Sequence, residues 1–170
     1  MNLPWKNIQN QNLWDDGPSE AYALEEGASL HLKIEGTKHQ PFVHFDPELG
    51  ILELMGRSVP EDSNGFYRPL LLRLNRYLND LDRGLVCNVH LEYFNTSSAR
   101  NLLEVMHVLE KMHAASRNVV VNWIFDEEDE DLFHTGIDFS SLLQVPFSLF
   151  AMKEDGTMVA IPESEWNKEF

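Results

Sequence analysis

The rhythm of hydrophobic and polar positions changes several times along the chain, and each change marks an element. Leu30, Leu32 and Ile34 alternate with polar neighbours, the period of a strand with one buried face. Pro41-Phe42-Val43-His44-Phe45 and Ile51-Leu52-Glu53-Leu54-Met55 flank Asp46-Pro47-Glu48-Leu49-Gly50, where an early proline and a late glycine are turn chemistry. A β-hairpin is predicted there, with Gly56 to Glu61 as its exit loop. Tyr67, Leu70, Leu71, Leu74, Tyr77, Leu78 and Leu81 then recur at helical spacing behind Ser63-Asn64-Gly65. They predict a first helix ending near Gly84, with Pro69 in its opening turns, where a missing N–H costs least.

Strand period returns at Cys87, Val89, Leu91 and Tyr93, and helical period follows at Leu102, Leu103, Met106, Leu109 and Met112. Val119 to Phe125 is β-branched and aromatic enough for another strand. Strand, helix and strand in that order form a βαβ crossover, expected to be right-handed with parallel strands. The acidic run 126–131 is expected where the sheet gives way to a third helix through Leu132, Phe133, Leu142 and Leu143. A strand over 146–152, a turn at Glu154-Asp155-Gly156 and a short strand over 158–161 complete the pattern. The fold class is therefore α/β: a single domain with a mixed β-sheet and helices, an N-terminal hairpin followed by α and βαβ units. Residues 1–29 are too polar to nucleate a core and read as an N-terminal arm on which Trp5 and Trp14 could still dock.

With 43 % hydrophobic residues, 170 residues suffice for one domain with a sizeable core. Thirteen Lys+Arg against 28 Asp+Glu give a net charge of -15, a field that repels phosphate backbones and anionic membrane surfaces and argues against nucleic acid. Cys87 is the only cysteine, so no intramolecular disulfide forms, and its apolar strand setting suits a buried thiol in a reducing, cytoplasmic compartment. No apolar stretch is long enough to span a bilayer, and the start carries no export signal, so no membrane association is expected.

Chemistry-bearing motifs are sparse. No P-loop, GxGxxG or GxSxG string occurs, and the seven histidines show no HExxH spacing. An EF-hand loop beginning at Asp126 needs glycine at its sixth position and has Asp131, so the acidic run is read as a solvated loop, or a docking surface for a basic partner, without a metal. No cofactor is expected. The most informative string is Asn95-Thr96-Ser97-Ser98, at a strand-to-helix junction on the carboxyl edge of the parallel pair, where α/β folds place their sites. The simplest use of these residues is helix capping. Their hydroxyls also leave open a small hydrolase with Thr96 or Ser97 as nucleophile, given a base within hydrogen-bond reach.

Three strings in order, Gly56-Arg57-Ser58-Val59-Pro60-Glu61, Leu91-Glu92-Tyr93-Phe94-Asn95-Thr96-Ser97-Ser98 and Val121 to Asp131, resemble the SiaC family of bacterial regulatory phosphoproteins, as does Pro146-Phe147. The resemblance spans roughly 36–147, with Phe125 standing where the family has tyrosine. It implies a fold similar to STAS anti-sigma-factor antagonists and a division into arm 1–29, regulatory domain 30–150 and C-terminal extension 151–170. It further implies a non-enzymatic partner-switching adaptor with Thr96 as phosphoacceptor. A dedicated Ser/Thr kinase would modify Thr96 and a PP2C-type phosphatase restore it. The unmodified form would bind an effector, in the best-understood system a diguanylate cyclase involved in biofilm formation. Arg57, Ser58, Asn95, Ser97, Ser98 and Arg100 are the expected partner-reading positions. A constitutive binding module without a switch is the remaining alternative.

Overall fold

The computed structural model describes residues 24–167. Seven strands form one sheet in the order of the sequence. They are β1 (Leu32–Ile34), β2 (Phe42–Asp46), β3 (Ile51–Ser58), β4 (Leu85–Phe94), β5 (Val119–Asp126), β6 (Phe147–Met152) and β7 (Met158–Ile161). Helices α1 (Ser63–Asp80), α2 (Thr96–Ala114) and α3 (Glu130–Leu142) connect β3 to β4, β4 to β5 and β5 to β6. Strands β3 to β6 are mutually parallel, while β1, β2 and β7 pair antiparallel at the two ends. The expected hairpin is β2–β3, with Asp46 paired to Ile51. The single expected crossover is one of three.

Strict alternation along the strands shows how the layers stack. In β5, Val119, Val121, Trp123 and Phe125 are buried while Val120, Asn122 and Ile124 are only partly so. A parallel strand covered on both faces would read as continuously buried. All buried apolar residues, from strands and helices alike, join one cluster, so the three helices share one face of the sheet. On the other face, side chains pair with each other: Asn122 Nδ2 donates to Asn88 Oδ1 at 2.9 Å, and His44 Nδ1 lies 2.9 Å from Glu53 Oε2. At Gly136 of α3 an added Cβ would lie 2.6 Å from both Trp123 Cδ1 and Leu149 Cδ2, so α3 sits on β5 and β6 at a distance only glycine allows.

The structure corrects several expectations. Gly56, Arg57 and Ser58 are not an exit loop, because they continue β3 and pair with Leu91, Tyr93 and Phe94. Helix α1 stops at Asp80 rather than near Gly84: Leu81 is already extended, and its N–H donates to the Tyr77 carbonyl as a cap. Apolar period ran on past the helix because Leu81 still packs against the core. The acidic run marks the passage from sheet to helix as expected: Asp126 ends β5, Asp129 is the N-cap of α3, and Glu130 and Asp131 fall in its first turn, where negative charge suits the helix dipole. The division expected at 150/151 falls inside β6, and β7 belongs to the same sheet. Most of the arm, including Trp5 and Trp14, lies outside the described residues.

Candidate functional site

The carboxyl ends of the parallel strands converge on the start of α2, and a β-bulge sets the approach. Gly56 pairs with Leu91 but Arg57 pairs with Tyr93, which leaves Glu92 as the extra residue of β4. Gly56 holds φ +91 at this step, a conformation that side-chain-bearing residues rarely adopt. The bulge turns Phe94 inward, where it meets Trp123 and Phe139 edge-on, and leaves Tyr93 half exposed. The Arg57 guanidinium lies 5.1 Å from the centroid of the Tyr93 ring, a cation–π stack on the surface.

Asn95 ends the strand and caps the helix. Its backbone is extended (φ -87, ψ 174), its side-chain oxygen accepts the Ser98 N–H at 2.9 Å, and its own N–H donates to the Ser58 carbonyl at 3.3 Å. Thr96 is therefore the first helical residue, exposed, with Ser97 exposed beside it. No acidic residue stands in this first turn, so the positive end of the helix dipole is uncompensated. Arg100 lies one turn on, and its Nε is buried with no hydrogen-bond partner among the described residues.

Ser58 and Ser98, expected at the partner-reading surface, are instead fully buried and cannot meet a partner in this conformation. Both serve a polar network behind Thr96. Ser58 Oγ donates to Ser98 Oγ at 2.8 Å, so the Tyr67 hydroxyl, 2.7 Å from Ser58 Oγ, donates to it. Burial holds that phenol well above its usual ionisation range, which keeps it a donor. Asn101 Nδ2 spans to Asn64 Oδ1 at 2.9 Å, the Ser97 carbonyl at 3.0 Å and Ser63 Oγ at 3.2 Å. The end of β3 and the starts of α1 and α2 are thus fastened together, mostly by groups buried away from solvent.

Tyr93, Ser63, Asn64, Tyr67 and Asn101 were missed from the sequence. Asn101 left a signal, since with Ser98 it forms the polar upper end of the buried stripe continued by Val105, Val108 and Met112. Beside the rim, His39, Val59, Pro60, Asp62, Gly65 and Phe66 line part of a groove of about 640 Å³. Among the described residues no hydrogen bond joins the Thr96 or Ser97 hydroxyl to a histidine or carboxylate. Nor do three metal-ligating side chains converge among them, and no helix is long and apolar enough to cross a membrane.

The model of the SiaC family regulatory phosphoproteins matches residues 34–152. The chain belongs to the SiaC family. It is thus a regulatory protein, not a hydrolase, and the nucleophile reading of Thr96 and Ser97 is set aside. A relative in Pseudomonas aeruginosa strain UCBPP-PA14, itself uncharacterized, is 30 % identical over 123 residues, which cover 72 % of this chain and 98 % of the relative. The crystal structure of apo-SiaC from Pseudomonas aeruginosa superposes with a TM-score of 0.65 at 29 % identity, over 70 % of this chain and 97 % of that one. A second solved structure holds SiaC from the same organism as activator in complex with the diguanylate cyclase SiaD; there the TM-score is 0.67 at 30 % identity, over 69 % of this chain and 97 % of SiaC. The SiaC fold therefore accounts for the body of the molecule, and residues before 34 and after 152 lie outside the family match.

Proposed function

We propose that this SiaC family member is a cytoplasmic phospho-switch adaptor: a Ser/Thr kinase modifies Thr96, a PP2C-type phosphatase restores it, and the unmodified form binds and activates a diguanylate cyclase. The observation that carries the reading is an exposed threonine at the first position of a capped helix, with no base bonded to its hydroxyl among the described residues and no acidic neighbour in the first turn. A phosphate there adds about -1.5 to -2 charge at neutral pH, which the helix start accommodates and Arg100 can neutralise in part. The fold survives modification. A partner surface matched to a neutral hydroxyl must instead desolvate a dianion, at a cost of several kcal/mol, on the order of a hundredfold or more in affinity. Arg57 on Tyr93, with Asn95 and Ser97, forms the rest of the contact rim, and Ser58 and Ser98 support it from behind.

The test is phosphorylation by a candidate Ser/Thr kinase with ATP, residue mapping by mass spectrometry, and binding to a diguanylate cyclase before and after. Thr96→Ala is expected to fold, resist the kinase and bind; Thr96→Asp is expected to fold and bind poorly. Labelling confined to Ser97 would move the acceptor by one residue. Equal cyclase binding by both phosphorylation states would leave a constitutive module, and no labelling in the motif would end the switch reading.

A further inference from the structure

Helix α1 carries an unusual outward face. Its core stripe contains Tyr67, Leu70, Leu74 and Tyr77, and at helical period the opposite side presents Pro69, Leu72 and Arg76. Leu72 is neither in the core cluster nor packed against it, yet Leu72, Pro69 and Arg76 are all half-buried. Arg68 and Arg73 border this stripe, and the first acidic residue of the helix, Asp80, pairs with Arg76 at 3.0 Å. Three of the chain's 13 Lys+Arg thus fall in nine residues of a protein with net charge -15.

The described chain begins on this same helix. Arg76 Nη1 donates to the Glu25 carbonyl at 2.9 Å, and Leu24 is half-buried. Upstream lie residues 1–23, which carry Asp15, Asp16 and Glu20 against Lys6, with Leu13, Trp14 and Tyr22 among them. Arg76 to Arg68 is about 12 Å along a helix axis. The eleven residues 13–23, extended, reach up to about 35–40 Å. Length, sign of charge and point of attachment therefore agree on one occupant.

We propose that residues 1–23 dock along the outward face of α1, with their acidic side chains on its arginines and an aromatic side chain over Leu72 and Pro69. The family match begins only at residue 34, so this contact is an addition of this chain to the common domain. It stands apart from the Thr96 reading and does not depend on it.

Thiol labelling of the full chain tests the docking. Leu72→Cys reports on the stripe and Lys111→Cys, at an exposed position of α2, is the reference. Native Cys87 is buried with its thiol pushed up to about 12, so its silence toward maleimide verifies folding in each variant. Leu72→Cys is expected to label about tenfold or more slowly than the reference. Adding Trp14→Ala, or Asp15→Asn with Asp16→Asn and Glu20→Gln, should bring the two rates within about twofold. Equal rates at the outset, or protection indifferent to both sets of arm substitutions, would overturn the proposal. Protection that disappears on dilution would overturn it too, in favour of a second copy of this chain on the same face.

Discussion

Asn95 carries two structural duties in one side chain and one backbone unit, since it closes β4 onto Ser58 and caps α2 through the Ser98 N–H. Asn95→Ala is expected to cost about 1 kcal/mol of stability and lower the melting temperature by roughly 2–5 °C, read by thermal denaturation. Asn95→Asp should retain the cap and most of the stability, because a carboxylate accepts the same bond and its charge suits the helix start. Thr96, one residue on, bears no such load: its hydroxyl is exposed and no element hangs on it, which is why its substitutions are expected to change binding and leave folding nearly untouched. Under the proposed switch, the asymmetry between these neighbours would let Thr96 be modified without melting the helix it begins.

Helix α3 is held by contact rather than by caps alone. Trp123 Nε1 donates to the Leu132 carbonyl at 3.0 Å, and Gly136 lies against the Trp123 ring. Gly136→Ala would gain up to about 1 kcal/mol of helix propensity. Its Cβ would meet Trp123 and Leu149 side-chain atoms at 2.6 Å, and such overpacking costs about 1–3 kcal/mol. The second effect wins, so a lower melting temperature with a weakened near-ultraviolet tryptophan signal is expected. At the start of the same helix, Asp129 is occupied as the cap, accepting from the Leu132 N–H at 2.9 Å, and no three metal-ligating side chains converge among the described residues. Melting with and without EDTA should therefore give the same midpoint, and a drop on chelation would reveal a structural metal.

As a whole, the molecule is a family domain with additions at both ends of the match, which runs from 34 to 152. Relatives covered almost completely by this matched region fold without a counterpart of the arm. Deletion of residues 1–29 is accordingly expected to leave one cooperative thermal transition, lowered by a few degrees through loss of the Glu25 contact with Arg76. Loss of cooperativity would make the arm part of the core. Strand β7 differs from the arm in kind: it pairs with β6 from Leu149 to Met152, so it completes the sheet rather than decorating it.

Alternation at Cys87, Val89 and Leu91, helical period at Tyr67 to Tyr77, and the Asn95 capping string were legible because each is a local pattern: side-chain periodicity and cap chemistry need only neighbours along the chain. The α/β class, the strand order's hairpin and crossover, and Thr96 as the residue to test all follow from such patterns or from family resemblance carried by short strings. What needed the folded molecule was every property set by residues distant in sequence. Ser98 looks as available as Ser97 in the string, yet it is buried because Ser58, forty positions earlier, arrives on the adjacent strand to take its bond. Tyr93 and Arg57 became a surface pair only because a bulge at Gly56 shifts the register by one residue, and a one-residue shift exchanges inside for outside. Leu81 kept the helical period after the helix had ended, because burial rewards an apolar side chain whatever its backbone conformation.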